Sequence, residues 1–187
     1  MRKTIATSMV AGLATLATLA ALGLPAAAYA SDGPTSTTLE ISPGFLSIST
    51  PDGADLGTVQ IGAAQVQAQL GTVTVSDSLG TYDGGWAASV TSSDFVVSDT
   101  NGNAEVTIPA SDVSYAPGTV TSTGEGTFTA GDGGAFADSS TPQVACTAAD
   151  EVGATTASWD PTITVTLPSD VVAGQYQGTI THSVSSS

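Results

Sequence analysis

Past residue 31 the chain alternates. Apolar and hydroxyl-bearing residues take turns over short runs, the period-two pattern of a strand with one face buried. Ile163, Val165 and Leu167 fall on one side of such a run, with Thr164 and Thr166 on the other. Tyr176, Ile180, His182 and Val184 share one face of a later run, opposite Thr179, Thr181 and Ser183. Trp86, Ala88 and Val90 form a third apolar face. Val73 with Val75, Val106 with Ile108, and Phe45 with Ser47 and Ser49 form shorter ones. Threonine is β-branched and suits the solvated side of a pleated surface. No run after Ser31 has helical spacing.

Turn residues punctuate these runs. Thr50-Pro51-Asp52-Gly53 presets a β-turn through proline and glycine, and Ala116-Pro117-Gly118 separates two further runs. Asp83-Gly84-Gly85 predicts a turn ahead of the Trp86 strand, and Asn101-Gly102 predicts a tight hairpin. Residues 131–153 are mostly small, with little periodicity, and predict a long loop. Together these features predict an all-β chain: a single antiparallel β-sandwich of Ig-like, Greek-key type with about 8–10 short strands. A barrel is the alternative closure.

The first thirty residues differ in kind. Arg2 and Lys3 precede an apolar run over residues 9–24, and Ala28-Tyr29-Ala30 offers a small-x-small cleavage site. This predicts a helical signal peptide over residues 1–30 and a mature domain over 31–187. The apolar run falls short of the ~18–20 residues that span a bilayer. The chain closes on Ser185-Ser186-Ser187 without an apolar tail. The expectation is a secreted, extracellular product with no membrane in its mature form, held on a surface, if at all, by non-covalent contact.

Charge then narrows the function. Arg2 and Lys3 are the only two basic residues, whereas all 17 acidic residues lie after residue 30. Nucleic acid binding needs Lys and Arg to neutralise phosphates, so it is excluded, as are anionic headgroups. With no cation to pair with, nearly every carboxylate is expected at the surface or in a turn, because burying an unpaired one costs several kcal/mol. Crowded like charges also predict good tolerance of mild acid. Cys146 is the sole cysteine, so no internal disulfide forms; it reads as a small loop residue.

Candidate chemistry is sparse. Trp86 and Trp159 are the only tryptophans, and each has two readings: an indole stacked on a sugar ring, or a ring packed in the core. Asp99, Asn101 and Asn103 place oxygen ligands at alternate positions, as calcium loops do. That stretch lacks the sixth-position glycine and the closing glutamate, and a hairpin turn explains it. His182 is alone, mid-strand, and reads as a packed or partly exposed strand residue. Asp150-Glu151 reads as solvated loop charge rather than a glycosidase acid pair. No catalytic constellation and no cofactor are expected.

Five segments taken in order resemble the WxL-type cell-wall-binding domain of Gram-positive surface proteins: residues 70–77 (LGTVTVSD), 85–90 (GWAASV), 107–115 (TIPASDVSY), 158–168 (SWDPTITVTLP) and 173–184 (AGQYQGTITHSV). The resemblance covers roughly residues 39–184. The paired Trp-x-Leu signature reads Trp86-Ala87-Ala88 and Trp159-Asp160-Pro161, so the tryptophans carry over and the leucines do not. What the resemblance implies is non-covalent attachment to peptidoglycan or another wall glycan, beside other surface proteins. A structural subunit that assembles through exposed strand edges is the alternative, and a glycan-processing enzyme a third.

Overall fold

The computed structural model describes residues 38–98 and 105–187. The signal segment and the Asp99, Asn101 and Asn103 candidate lie outside the described residues. The compact unit Ile41–Ser187 holds thirteen strands and one 3₁₀ turn, Ala110–Asp112, with no α-helix among the described residues.

One long strand organises the largest sheet. β10 (Gln143–Trp159) carries β3 (Val73–Asp77) and β4 (Tyr82–Ser92) end to end along one edge and β8 (Thr121–Ala130) along the other. β1 (Leu46–Ser49) pairs outside β3, and β13 (Ile180–Ser186) pairs outside β4, which completes six antiparallel strands. A second sheet orders β2 (Gln65–Gln69), β11 (Thr162–Thr166), β7 (Val113–Ala116) and β9 (Gly134–Ala135). A small third sheet joins β12 (Tyr176–Gln177), β5 (Phe95–Ser98) and β6 (Glu105–Ile108).

The fold is an all-β antiparallel sandwich with one core. Val73, Val75, Trp86, Ala88, Val90, Ala157 and Trp159 from the large sheet pack in one cluster with Val113, Tyr115, Ile163 and Val165 from the second and Phe95 and Ile108 from the third. Each large apolar side chain buried this way contributes about 1.5–3 kcal/mol. The alternation predicted for residues 73–75, 86–90 and 163–167 is the pattern that faces this core, with β11 spanning Thr162–Thr166. β5 and β6 pair antiparallel with Ser98 opposite Glu105, and the tight turn predicted at Asn101-Gly102 lies outside the described residues.

Several expectations are corrected. Residues 131–153 are not a long loop, because β10 begins at Gln143 and a short β9 precedes it. Cys146 is not a loop residue; it is fully buried in β10, a free thiol that burial pushes up to about 11. Asp83-Gly84-Gly85 lies within β4 rather than in a turn before it. The predicted run from Tyr176 to Val184 breaks between β12 and β13, which pair into different sheets. Gly178 sits at the break because a Cβ there would come within 2.6 Å of the buried Phe95 ring. In β1 the residues packed on the core are Leu46 and Ile48, so Phe45 is exposed and Ser47 and Ser49 face away.

Candidate functional site

Both indoles are structural. Trp86 projects inward from β4 and Trp159 from the end of β10, and each is 1% exposed. Trp86 Nε1–H donates to Glu151 Oε1 at 3.0 Å, and Trp159 Nε1–H donates to the Tyr115 hydroxyl at 2.8 Å. Phe128 on β8 covers Trp86, with ring centroids 6.3 Å apart. Neither ring offers a face to a sugar in this structure. The sequence left sugar stacking and core packing open for both; the structure places both in the core.

Behind Trp159 a polar relay leads outward. The Tyr115 hydroxyl lies 3.1 Å from His182 Nε2, with the two rings edge to face at 5.6 Å. The Tyr115 oxygen already accepts from Trp159. The assignment that uses its own O–H, donated to His182 Nε2, leaves the histidine proton on Nδ1. Burial holds Tyr115 up to about 12, against the opposing Trp159 hydrogen bond. Burial likewise lowers His182 to about 4, so the imidazole is neutral at pH 7. His182 forms part of the wall of a cleft of about 220 Å³ between β13, β11, β5 and the loop over residues 50–56. The sequence placed His182 on the inward face; nothing in it pointed to Tyr115, 67 residues away.

At Asp150-Glu151 the structure departs furthest from expectation. This pair is not solvated loop charge. β10 carries a bulge here, between Ala148 and Glu151, where Asp150 adopts φ 54° and Asp83 on β4 adopts φ 64°. The bulge turns Glu151 inward, where it is 1% exposed. Its Oε1 accepts from Trp86 and from the Thr155 hydroxyl, while its Oε2 is buried with no partner among the described residues. Asp77, at 4% exposure, is directly across from Thr155 and accepts the Leu79 N–H at 2.7 Å. The prediction that carboxylates stay outside therefore fails at Glu151 and Asp77. Gly126 on β8 has φ 154°, and a Cβ there would approach Glu151 Cγ at 3.1 Å, so glycine leaves the glutamate its room.

Other carboxylates act locally. Asp138 takes four donors from Ser140 and Thr141 at 2.7–2.8 Å, which hold it well below the usual carboxylate range. No group of three or more His, Cys, Asp or Glu side chains suited to a metal occurs among the described residues.

The outer face of the large sheet has a different character. Ser49, Thr74, Ser158 and Thr121 stand side by side across four strands. Ser47, Ser76, Thr156 and Thr123 form the next row, and Ser185, Ala87, Thr147 and Thr129 another. Neighbouring strands lie about 4.7–4.9 Å apart, which sets the spacing within a row. Thr74 and Ser158 hydroxyls bond at 3.0 Å. These rows carry no charged side chain.

Comparison with models of known protein families, with curated proteins and with solved structures finds no match to this chain. The WxL-type resemblance therefore rests on its five sequence segments alone.

Proposed function

We propose that this chain is an exported, non-catalytic β-sandwich that holds to the bacterial envelope by neutral contacts with wall glycan, in the manner of WxL-type domains. The observation that carries the proposal is the set of uncharged, hydroxyl-rich rows on the outer face of the large sheet. Serine and threonine hydroxyls both donate and accept, so they match a polyhydroxylated polymer from either direction. One such bond contributes only about 0.5–1.5 kcal/mol, so attachment through them needs many at once, which rows four strands wide supply. A chain with no Lys or Arg beyond Lys3 has no ionic grip on phosphate. The order of the five segments and the leader-like first thirty residues support the same reading.

The test is co-sedimentation of the purified protein with peptidoglycan sacculi stripped of anionic polymers. Binding that survives a several-fold rise in salt, and that weakens when Thr123→Glu and Ser185→Glu place charge on the exposed rows, is the expected result. Protein left wholly in the supernatant would sink the proposal.

Assembly through strand edges is the second reading. The edge of β8 away from β10 has no partner among the described residues, which favours it. Gly124 (φ 92°) and Gly126 flank Glu125 in the middle of that edge and interrupt its regularity, which opposes it.

A further inference from the structure

The cleft beside His182 has a hydrogen-bonding demand that nothing among the described residues meets. With Nε2 accepting from Tyr115, the tautomer assigned above carries its proton on Nδ1, for which no hydrogen-bond partner stands among the described residues. The rest of the floor is apolar: Leu56, Leu70, Phe95, Ile163 and Ile180. The rim is polar, with Thr50, Asp52 and Thr179. At about 220 Å³ the cleft is below the about 300–1,000 Å³ of sites for drug-sized ligands. It has room for one substituent or one ring.

Three features select the occupant. A lone N–H donor calls for an acceptor. The apolar floor calls for a small apolar group beside it. Asp52 on the rim, in a chain of net charge −15, repels a carboxylate or phosphate, so the acceptor is a neutral carbonyl. An acetamido group meets all three: its methyl fits the floor, its oxygen accepts from Nδ1–H, and its own N–H finds an oxygen at the rim. We infer that this cleft is a subsite for the N-acetyl group of a neutral N-acetylated sugar, with His182 as its hydrogen-bond donor and Tyr115 as the residue that fixes the histidine tautomer. The inference rests on the glycan-binding reading above and deepens it. It gives specificity to a surface whose hydroxyl rows alone would accept many polysaccharides.

The probe is N-acetylglucosamine, added to the full protein and followed by ¹H–¹⁵N spectra, with glucose and glucosamine as controls. Saturable shifts at the amides of Phe95, Thr179, Ile180 and His182, and at the imidazole nitrogens of this sole histidine, are expected with N-acetylglucosamine. Glucose and glucosamine should act at least tenfold more weakly. His182→Phe should abolish the response, and His182→Gln, which keeps an N–H donor, should restore part of it. The wild-type imidazole signals give the answer even where a variant fails to fold. Unmoved imidazole signals, or equal responses to N-acetylglucosamine and glucose, would overturn the inference. Sacculus binding that persists beside a silent cleft removes the subsite and leaves the envelope reading standing. A cleft that responds while sacculi bind nothing removes the envelope reading alone.

Discussion

Acidification is the perturbation that most directly probes the relay through His182. The folded protein holds this imidazole at about 4, against 6.5 when unperturbed, because burial penalises the charged form. Below pH 6.5 the unfolded chain therefore binds a proton that the folded chain refuses. The stabilising contribution is complete above pH 6.5 and is lost as pH falls through the folded value near 4. The full displacement corresponds to about 3 kcal/mol at about 1.4 kcal/mol per pH unit. His182 is only half-buried and lines an open cleft, so screening reduces this to about 1–2 kcal/mol. The groups facing it are Tyr115 from β7 and, across the cleft, Asp52. Crowded carboxylates act in the opposite direction and favour the fold in acid, so the histidine contribution must be isolated. Urea denaturation of the wild type and His182→Gln at pH 7.5 and pH 4.5 does this. The wild type should lose about 1–2 kcal/mol more than the variant between the two conditions. The imidazole ¹H signal should titrate with a midpoint near 4. A midpoint near 6.5, or parallel losses in the two proteins, would refute the reasoning.

Tyr115→Phe removes the acceptor of the buried Trp159 N–H and the donor to His182 at once. It should destabilise by about 1–3 kcal/mol in urea and leave the strand content unchanged by circular dichroism. Glu151→Gln keeps an oxygen for Trp86 and Thr155 and should hold the urea-derived stability within about 1 kcal/mol of the wild type, whereas Glu151→Ala should cost about 2–4 kcal/mol by orphaning the Trp86 N–H and leaving a cavity. Added sodium chloride should raise the thermal midpoint at pH 7, because screening relieves repulsion among carboxylates that have no cationic partner after Lys3. A falling midpoint would mean that attractive pairs hold the fold.

The sequence showed the strands whose two faces differ in chemistry. Ile163 and Val165 alternate with threonines because one face of β11 meets the core and the other meets solvent. β10 was hidden for two physical reasons. Its inward residues include Cys146, Ala148, Thr155 and Ala157, small because Trp86, Trp159 and Phe136 fill the same core. A strand whose buried face is small shows no hydrophobic periodicity. The bulge before Glu151 then switches the inward set from even to odd positions, so no single alternation runs the length of the strand. The same bulge hides the burial of Glu151, which depends on an indole N–H 65 residues away. The cleft was equally out of reach. Thr50-Pro51-Asp52-Gly53 was legible as turn chemistry and His182 as an inward strand residue, but only the packing of sheets brings them to one wall.

A chain with no Lys or Arg after Lys3 has a limited way to keep carboxyl groups out of water. Where it does so here, neutral donors stand in for Lys and Arg. Leu79 N–H serves Asp77, and Trp86 N–H with the Thr155 hydroxyl serves Glu151. Neutral donors are weaker partners than guanidinium, and each must be fixed in place by secondary structure to serve at all. That ties each of these carboxyls to a particular turn or bulge. Asp77 sits where β3 gives way to the turn before β4, and Glu151 sits where β10 bulges to let β3 and β4 follow one another along its edge. The two buried acids therefore mark the end of β3 and the bulge of β10. The same shortage of cations governs the outside. On the envelope-binding reading proposed above, a surface that answers a carboxyl with an N–H or O–H would answer a sugar in the same way, and His182 would carry that logic from the core to the wall of the cleft.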